Sequence, residues 1–130
     1  MDLGLAGKNA VITGSTRGIG RAIANLLADE GTNLAICSRN QEEVDSAVAE
    51  LSAKGVKVTG AVVDVADKAS YQAWIASVGE ELGGIDIFVP NVSAGGGNMS
   101  EEGWEANFNV DLLGTTRGVE AAMPFLEKSS

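Results

Sequence analysis

Short apolar runs alternate along the chain with longer stretches in which apolar residues recur every three or four positions. The runs cover residues 9–13, 34–37, 56–65 and 85–89. Short, nearly continuous apolar runs are typical of strands that are buried on both faces, as in a parallel sheet. The sequence therefore predicts four strands in these places.

The stretches between the runs have the spacing of helices that pack by one face. The first stripe consists of Ile19, Ala22, Ile23, Leu26 and Leu27; the second lies in 44–51 and the third in 71–82. Asn40, with Glu43 three residues later, has the residue types of a helix N-cap. Glycines follow each stripe at Gly31, Gly55 and Gly83, where helices are expected to end.

Beyond the fourth run, the pattern is less regular. A loop at 90–100 contains three consecutive glycines, and Ser100 could cap a further helix. From 104 to 126 the spacing is helical, but Gly103, Gly114, Gly118 and Pro124 predict kinks or breaks.

Strand and helix thus alternate over residues 1–130, which predicts a single α/β domain. The expected fold class is a Rossmann-type, doubly wound parallel sheet with strand order 3-2-1-4. In that order, 85–89 would form an exposed apolar edge, which favours aggregation. We therefore expect further strands of a longer chain beside this edge. Pairing of two copies of the chain through the edge is the weaker alternative.

Composition excludes several classes of function. The chain has 130 residues and a net charge of -9, and its nine basic residues form no run, so nucleic acid is not an expected partner. No apolar stretch approaches the roughly 18 residues that span a bilayer. The first residues do not have the pattern of a signal peptide, and a cytoplasmic protein is expected.

The residue types present also limit the chemistry. The chain has no His and one Cys, Cys37, within an apolar run. Histidine acid–base catalysis is excluded, no metal site is expected, and Cys37 is interpreted as a small buried hydrophobe.

A glycine-rich turn separates the first strand from the first helix, in the stretch T-G-S-T-R-G-I-G at 13–20. Free backbone N–H groups and the positive end of the helix dipole bind phosphate at such a helix N-terminus. Gly14 would leave the strand, Gly18 would allow close approach of a ligand, and Gly20 would let the helix pack on the strand. A purely structural turn is the alternative.

The end of the second strand bears on the choice between NAD and NADP. In dinucleotide-binding folds, an Asp or Glu is typical at this place and binds the ribose hydroxyls, whereas this chain has Ser38 and Arg39. Arg39 could pair with a 2′-phosphate, Ser38 could donate a hydrogen bond, and Arg17 could approach from the glycine turn. NADP is therefore expected rather than NAD, unless both arginines are only solvated surface residues.

Two further segments follow strands. Asp64, with Val65 beside it, could accept a hydrogen bond from an adenine amino group or could cap the next helix. Asn91 could brace neighbouring loops, and Ser93 belongs to a run of small residues that permits close approach to a ligand. A flexible surface loop is the alternative for this second segment.

These motifs together resemble the classical short-chain dehydrogenase/reductase family, including members like 3-oxoacyl-ACP reductase. Residues 13–20 match the family's T-G-x-x-x-G-[IL]-G, and 90–93 match its N-N-A-G in part. The resemblance covers essentially the whole chain, as the N-terminal half of a reductase. The residues that it implies for cofactor binding are Gly14, Ser15, Arg17, Gly18, Ile19, Gly20, Ser38, Arg39, Asp64, Val65, Asn91 and Ser93.

The resemblance also implies an activity: NADP-dependent interconversion of a carbonyl and a secondary alcohol. Asn109 would be the active-site Asn of the family's proton relay. The family's Ser and Tyr-x-x-x-Lys are absent, because Ile75 stands four residues after Tyr71, the chain's one tyrosine. The 130 residues alone should therefore be inactive. A homo-oligomer, dimer or tetramer, is implied through helices near 100–130.

Two other functions remain open at this point. A non-catalytic nucleotide-binding or scaffolding module would use the same glycine turn. A methyltransferase would too, but it would need an acid after the second strand, where Arg39 stands instead.

Overall fold

The computed structural model describes residues 1–97 and 99–130. Its strands are β1 (Asn9–Thr13), β2 (Asn33–Ser38), β3 (Val58–Val62) and β4 (Ile87–Val89). Its helices are α1 (Gly18–Asp29), α2 (Gln41–Ser52), α3 (Lys68–Leu82), α4 (Glu101–Asn107) and α5 (Leu113–Leu126), with a π-helical turn, Phe108–Leu112, between the last two.

The four strands form one parallel sheet in the order β3-β2-β1-β4. In the middle of the sheet, Ala10 of β1 is paired with Leu34 of β2 on one side and with Ile87 of β4 on the other. This confirms the predicted strand order. All four strands therefore end at the same edge of the sheet.

Apolar residues cover both faces of this sheet. Along β1, Ala10 and Ile12 pack with residues of α1 and α2, whereas Val11 packs on the opposite face with residues of α3. All three are fully buried. Burial on both faces is the reason for the nearly continuous apolar runs, because successive side chains of a strand point to opposite faces.

The fourth strand is shorter than predicted. It begins at Ile87 instead of residue 85. Asp86, just before it, bonds to the start of β1: its carboxylate accepts from the N–H of Asn9 (2.8 Å), and its own N–H donates to the carbonyl of Asn9 (2.9 Å). Ile85 is 1% exposed and belongs to the core. The expected exposed apolar edge is thus wrong for Ile85, and the strand at the edge has three half-buried residues.

The predicted breaks at the C-terminal glycines are also wrong. The helical pattern is interrupted at Phe108–Leu112, which contains no glycine or proline. Gly114 and Gly118 lie inside α5 and are buried. A Cβ at Gly118 would lie 2.2 Å from Tyr71 Oη and 2.5 Å from Phe88 Cζ, so a close packing contact explains this glycine.

Candidate functional site

A cleft of about 750 Å³ opens at the carboxyl ends of the four strands. It brings together most of the predicted cofactor-binding residues. Those that line it are Gly14, Arg17, Ser38, Arg39, Asp64, Val65, Asn91 and Ser93. The cleft thus lies where ligands bind in open α/β sheets.

The N-terminus of α1 has no side-chain cap. Within the described part of the chain, it differs in this from α2, α3 and α4, which are capped by Asn40, Asp67 and Ser100. The N–H of Arg21 donates to the carbonyl of Arg17 (3.3 Å), so the N–H groups of 18–20 have no partner within the helix. No acidic residue occupies this first turn. The arrangement suits an anion.

Two glycines allow the turn to approach its neighbours closely. A Cβ at Gly20 would lie 2.2 Å from the carbonyl oxygen of Gly14 and 2.7 Å from Asn91 Nδ2. Gly14 has φ +63°, and a Cβ there would lie 2.9 Å from Val92 Cγ2. The prediction that Gly20 lets α1 pack on β1 is confirmed. Gly18 starts α1 with φ +61°, and Ile19 beside it is 75% exposed; neither lines the cleft.

Ser15 has a structural role that the sequence did not predict. It is fully buried and does not line the cleft. Its Oγ donates to the carbonyl of Ile12 (2.8 Å) and accepts from the N–H of Cys37 (3.1 Å), while its own N–H donates to the carbonyl of Cys37 (3.2 Å). Ser15 therefore joins the ends of β1 and β2 and uses both of its donors within the protein, and its place among the residues that hold the diphosphate and its surroundings stays a prediction.

Thr13 and Asn91 join the ends of β1 and β4. Thr13 Oγ1 accepts from the N–H groups of Asn91 (2.9 Å) and Val92 (3.4 Å), and Asn91 Nδ2 donates to the carbonyl of Gly14 (3.1 Å). The bracing role predicted for Asn91 is confirmed. Sequence reasoning missed that of Thr13, although its place directly before the glycine turn was the available signal.

The far corner of the cleft is charged. Arg17 has a side chain that is 84% exposed, with Nη1 3.9 Å from Oε1 of Glu43. Arg39 is exposed and forms no ion pair with the residues that the structure describes. Ser38 Oγ accepts from the N–H of Asn40 (3.1 Å), which holds the turn that leads into α2.

Asp64 remains at the cleft and does not cap α3. Its Oδ1 accepts from the N–H of Ala66 (3.0 Å), whereas Asp67 caps the helix through the N–H of Ser70. The alternative role of Asp64 as a helix cap is therefore wrong. Beside it, Val65 is 4% exposed and forms part of the cleft floor.

The loop after β4 is held by the helix that follows it. Asp111 Oδ1 accepts from the N–H of Ala94, and Asn107 Oδ1 accepts from that of Gly96, each at 3.2 Å. Ser93 Oγ accepts from the N–H of Gly95 (3.0 Å). This side of the cleft therefore depends on side chains from α4 and the π-helical turn.

The family model for short chain dehydrogenase matches residues 8–130. The chain belongs to this family. Isoepoxydon dehydrogenase of Penicillium expansum is 36% identical over 129 residues, an alignment that covers 97% of this chain and 50% of that protein. The chain thus spans about half the length of the curated relatives that it matches.

Solved structures of similar dehydrogenases agree with the fold. L-Sorbose reductase from Gluconobacter frateurii, complexed with NADPH and L-sorbose, has a TM-score of 0.91 and 34% identity over 97% of this chain and 50% of that one. Carveol dehydrogenase from Mycobacterium avium, in complex with NAD, has a TM-score of 0.86 and 27% identity over 93% and 50%. A nicotinamide dinucleotide is the cofactor that these structures share.

In this member of the short-chain dehydrogenase family, Asn109 is exposed and lies outside the lining of the cleft, so its catalytic role stays a prediction. Ala106 and Val110 line the cleft instead. Asp111 and Asn107 are nearby polar residues that contact the loop after β4. Helical spacing alone did not show which face of the π-helical turn meets the loop.

Two ionisable groups near the cleft are buried: Cys37, which lines it, and Tyr71. Burial raises the pKa of the Cys37 thiol to about 12, against the opposing effect of a backbone hydrogen bond at Gly14. Burial, with a smaller contribution from the charge of Cys37, also raises the pKa of Tyr71. Tyr71 Oη donates to the carbonyl of Gly114 (2.8 Å). Both groups are protonated at neutral pH, and Cys37 has the buried position that was expected.

Among residues 1–97 and 99–130, no cluster of three or more Cys, His, Asp or Glu side chains is arranged to hold a metal ion. No helix among the same residues has both the length and the apolar character needed to cross a membrane.

Proposed function

We propose that the chain forms the cofactor-binding part of an NADP-dependent oxidoreductase that interconverts a carbonyl and a secondary alcohol. The observation on which this depends is the uncapped N-terminus of α1 beside a cleft at the carboxyl ends of the strands, a cleft that the N-cap residue Arg17 lines. When bound, the nicotinamide cofactor would supply or accept the hydride.

The residues present fit a dinucleotide. Gly18, the first residue of α1, has no side chain, and no side chain of the described residues caps this helix, which leaves backbone N–H groups available to the ligand. The free N–H groups of 18–20 would bind the diphosphate, Asp64 would accept a hydrogen bond from the adenine amino group, and Asn91 and Ser93 would line the ribose and nicotinamide side. The cleft volume is in the range of cofactor sites, about 300–1,000 Å³.

The preference for NADP depends on charge. Solved relatives are complexed with NADPH in one case and NAD in the other, so they do not decide between the two. Arg17 and Arg39 both line the cleft, and no acidic residue follows β2 directly. An unpaired guanidinium such as that of Arg39 is well suited to a phosphate, with which it forms two parallel hydrogen bonds.

Fluorescence titration of the chain with NADPH and NADH tests this preference. Arg39→Gln should weaken NADPH binding about fivefold or more, as expected for the loss of charged hydrogen bonds, and should leave NADH binding unchanged. Arg117→Gln is the matched control, since Arg117 lies on α5 outside the cleft. Tighter binding of NADH by the unaltered chain, or an equal loss for both cofactors, would contradict the proposal.

The chain alone is not expected to turn over. Hydride transfer to a carbonyl requires a proton donor, which the family supplies from a Tyr. Tyr71 cannot serve, because its hydroxyl is buried between α3 and α5 and its pKa is raised by that burial. A carbonyl reductase assay of the 130-residue chain should therefore show no NADPH oxidation above background, and measurable turnover would contradict this expectation.

We also propose that the protein is a homo-oligomer, a dimer or a tetramer, that uses the face of α4 and the π-helical turn. Trp104, Phe108 and Leu112 lie four positions apart there and are 64%, 53% and 53% exposed. Trp104→Glu should reduce self-association in sedimentation velocity. Leu26→Glu, at an equally exposed apolar position on α1, should not.

A further inference from the structure

A carboxylate occupies the corner of the cleft that is proposed to take the 2′-phosphate. It belongs to Glu43, in the first turn of α2, which lines the cleft together with Arg17 and Arg39. Sequence patterns assign Glu43 only to a helix cap. Nothing in the spacing of the chain indicates that its side chain reaches the glycine turn.

The local hydrogen bonds explain why the carboxylate of Glu43 is free to reach the glycine turn. Asn40 Oδ1 accepts from the N–H of Glu43 (3.1 Å), which is one half of a capping box. In the other half, the Glu side chain would accept from the N–H of Asn40. That N–H donates to Ser38 Oγ instead (3.1 Å). The carboxylate of Glu43 is therefore not needed at its own helix terminus.

The carboxylate of Glu43 contacts the glycine turn. Its Oε2 accepts from Thr16 Oγ1 (3.5 Å), and its Oε1 lies 3.9 Å from Nη1 of Arg17. The Glu43 side chain is 40% exposed, so the pair is partly screened by water. Arg17 must nevertheless leave this partner, or share it, before it can contact a phosphate.

We propose that Glu43 is a specificity-determining residue that lowers the affinity of this cleft for a 2′-phosphate. This inference rests on the proposed function. Glu43 acts in two ways: it pairs with Arg17, and it places a negative charge beside the phosphate, where like charges repel. A cofactor without the 2′-phosphate experiences neither effect, so Glu43 narrows the discrimination between NADP and NAD.

The experiment compares the unaltered chain with Glu43→Gln, which keeps the size and the polar character of the side chain. The cap is unaffected, because Asn40 bonds to the backbone of Glu43. The two chains are titrated with NADPH and NADH and, as smaller probes, with adenosine 2′,5′-bisphosphate and adenosine 5′-monophosphate. Glu42→Gln is the matched control: it removes the same charge from the same helical turn, outside the cleft.

Glu43→Gln should tighten binding of the two ligands that contain a 2′-phosphate about threefold, the size of effect expected for a partly exposed ion pair. Binding of the other two ligands should change less than twofold. The gain should shrink as salt is raised from 0.05 M to 0.5 M. In an Arg17→Gln background, the gain should be smaller than threefold, because part of the effect passes through Arg17.

The outcomes separate this inference from the proposed function. If Glu43→Gln behaves like Glu42→Gln while Arg39→Gln still weakens NADPH selectively, the inference about Glu43 is overturned and the proposed cofactor stands. If neither Arg39→Gln nor Glu43→Gln alters the ratio of NADPH to NADH affinity, the assignment of the 2′-phosphate to this corner is itself overturned. A full threefold gain without Arg17 would overturn the part of the inference that acts through that residue.

Discussion

The glycine turn between β1 and α1 and the loop between β4 and α4 lie at the same edge of the sheet, but they are held in different ways. The turn is fixed from behind by Thr13 and Ser15, which are 1% and 0% exposed. The loop at 93–97 is exposed and is held by the side chains of Asp111 and Asn107, which lie in the π-helical turn and in α4, outside the sheet.

This difference divides the cleft into two halves with different stability. Buried hydrogen bonds between strand ends can be lost only when the sheet opens, whereas exposed loop contacts open locally and at little cost. A rigid half suits a ligand group that is always the same, such as a diphosphate. A half that is held by a few surface side chains suits the part of a ligand site that differs between relatives.

The largest effect is expected in the rigid half. Gly20→Ala should lower the free energy of unfolding by about 3 kcal/mol or more, because the new Cβ would overlap the carbonyl oxygen of Gly14, which is backbone and cannot move aside. Urea denaturation followed by circular dichroism measures this change.

Gly18→Ala is the control for that substitution. It lies in the same turn at φ +61°, but a Cβ there meets nothing within 4 Å. Only backbone strain remains, about 1 kcal/mol. If both variants lost the same stability, close packing of α1 on β1 would not be what makes this half rigid.

A second expected effect concerns alkaline pH. Cys37 keeps its proton to about pH 12 when folded, whereas an unfolded thiol loses it near 9.0. Above that value the unfolded state binds fewer protons than the folded state, so stability falls as pH rises, by about 1.4 kcal/mol per pH unit between these limits. Below pH 9 this contribution is fully present.

Denaturation curves at pH 8 and pH 10 test this sign. The unaltered chain should be about 1.4 kcal/mol less stable at the higher pH. Cys37→Ala should lose much less between the two, because the raised pKa of Tyr71 acts in the same direction only nearer its own, higher, unfolded value. An equally steep loss in Cys37→Ala would show that Cys37 is not the group responsible.

The rigid half was largely predictable from the sequence, and the other half was not. Buried strands and the glycines between them follow from apolar runs and backbone sterics, which are local properties. The π-helical turn at Phe108–Leu112 breaks the 3.6-residue spacing predicted for 104–126, and Asn109 within it was assigned from the family resemblance and not from that spacing. Spacing also could not reveal the contact between Thr16 and Glu43, which lie 27 residues apart and meet because Ser38 satisfies the N–H of Asn40.

The smallest effect on stability is expected in the loop. Asp111→Ala removes the acceptor of the Ala94 N–H, an exposed contact, and should cost less than about 1 kcal/mol of global stability. Local opening should increase instead. Hydrogen exchange followed by NMR should show faster exchange at Ala94, by about threefold or more, and no change at Val11 in the centre of the sheet.

Ser93→Ala tests whether the loop is held by Asp111 or by the turn that Ser93 itself forms with Gly95. Among the residues that the structure describes, Ser93 Oγ accepts from the N–H of Gly95, two residues away. Its loss should therefore affect exchange at that amide and leave Ala94 as slow as in the unaltered chain. If Ser93→Ala released Ala94 as much as Asp111→Ala does, the loop would be held by its own turn. The loop after β4 would then differ from the glycine turn only in being exposed, and not in being fixed by a neighbouring helical segment.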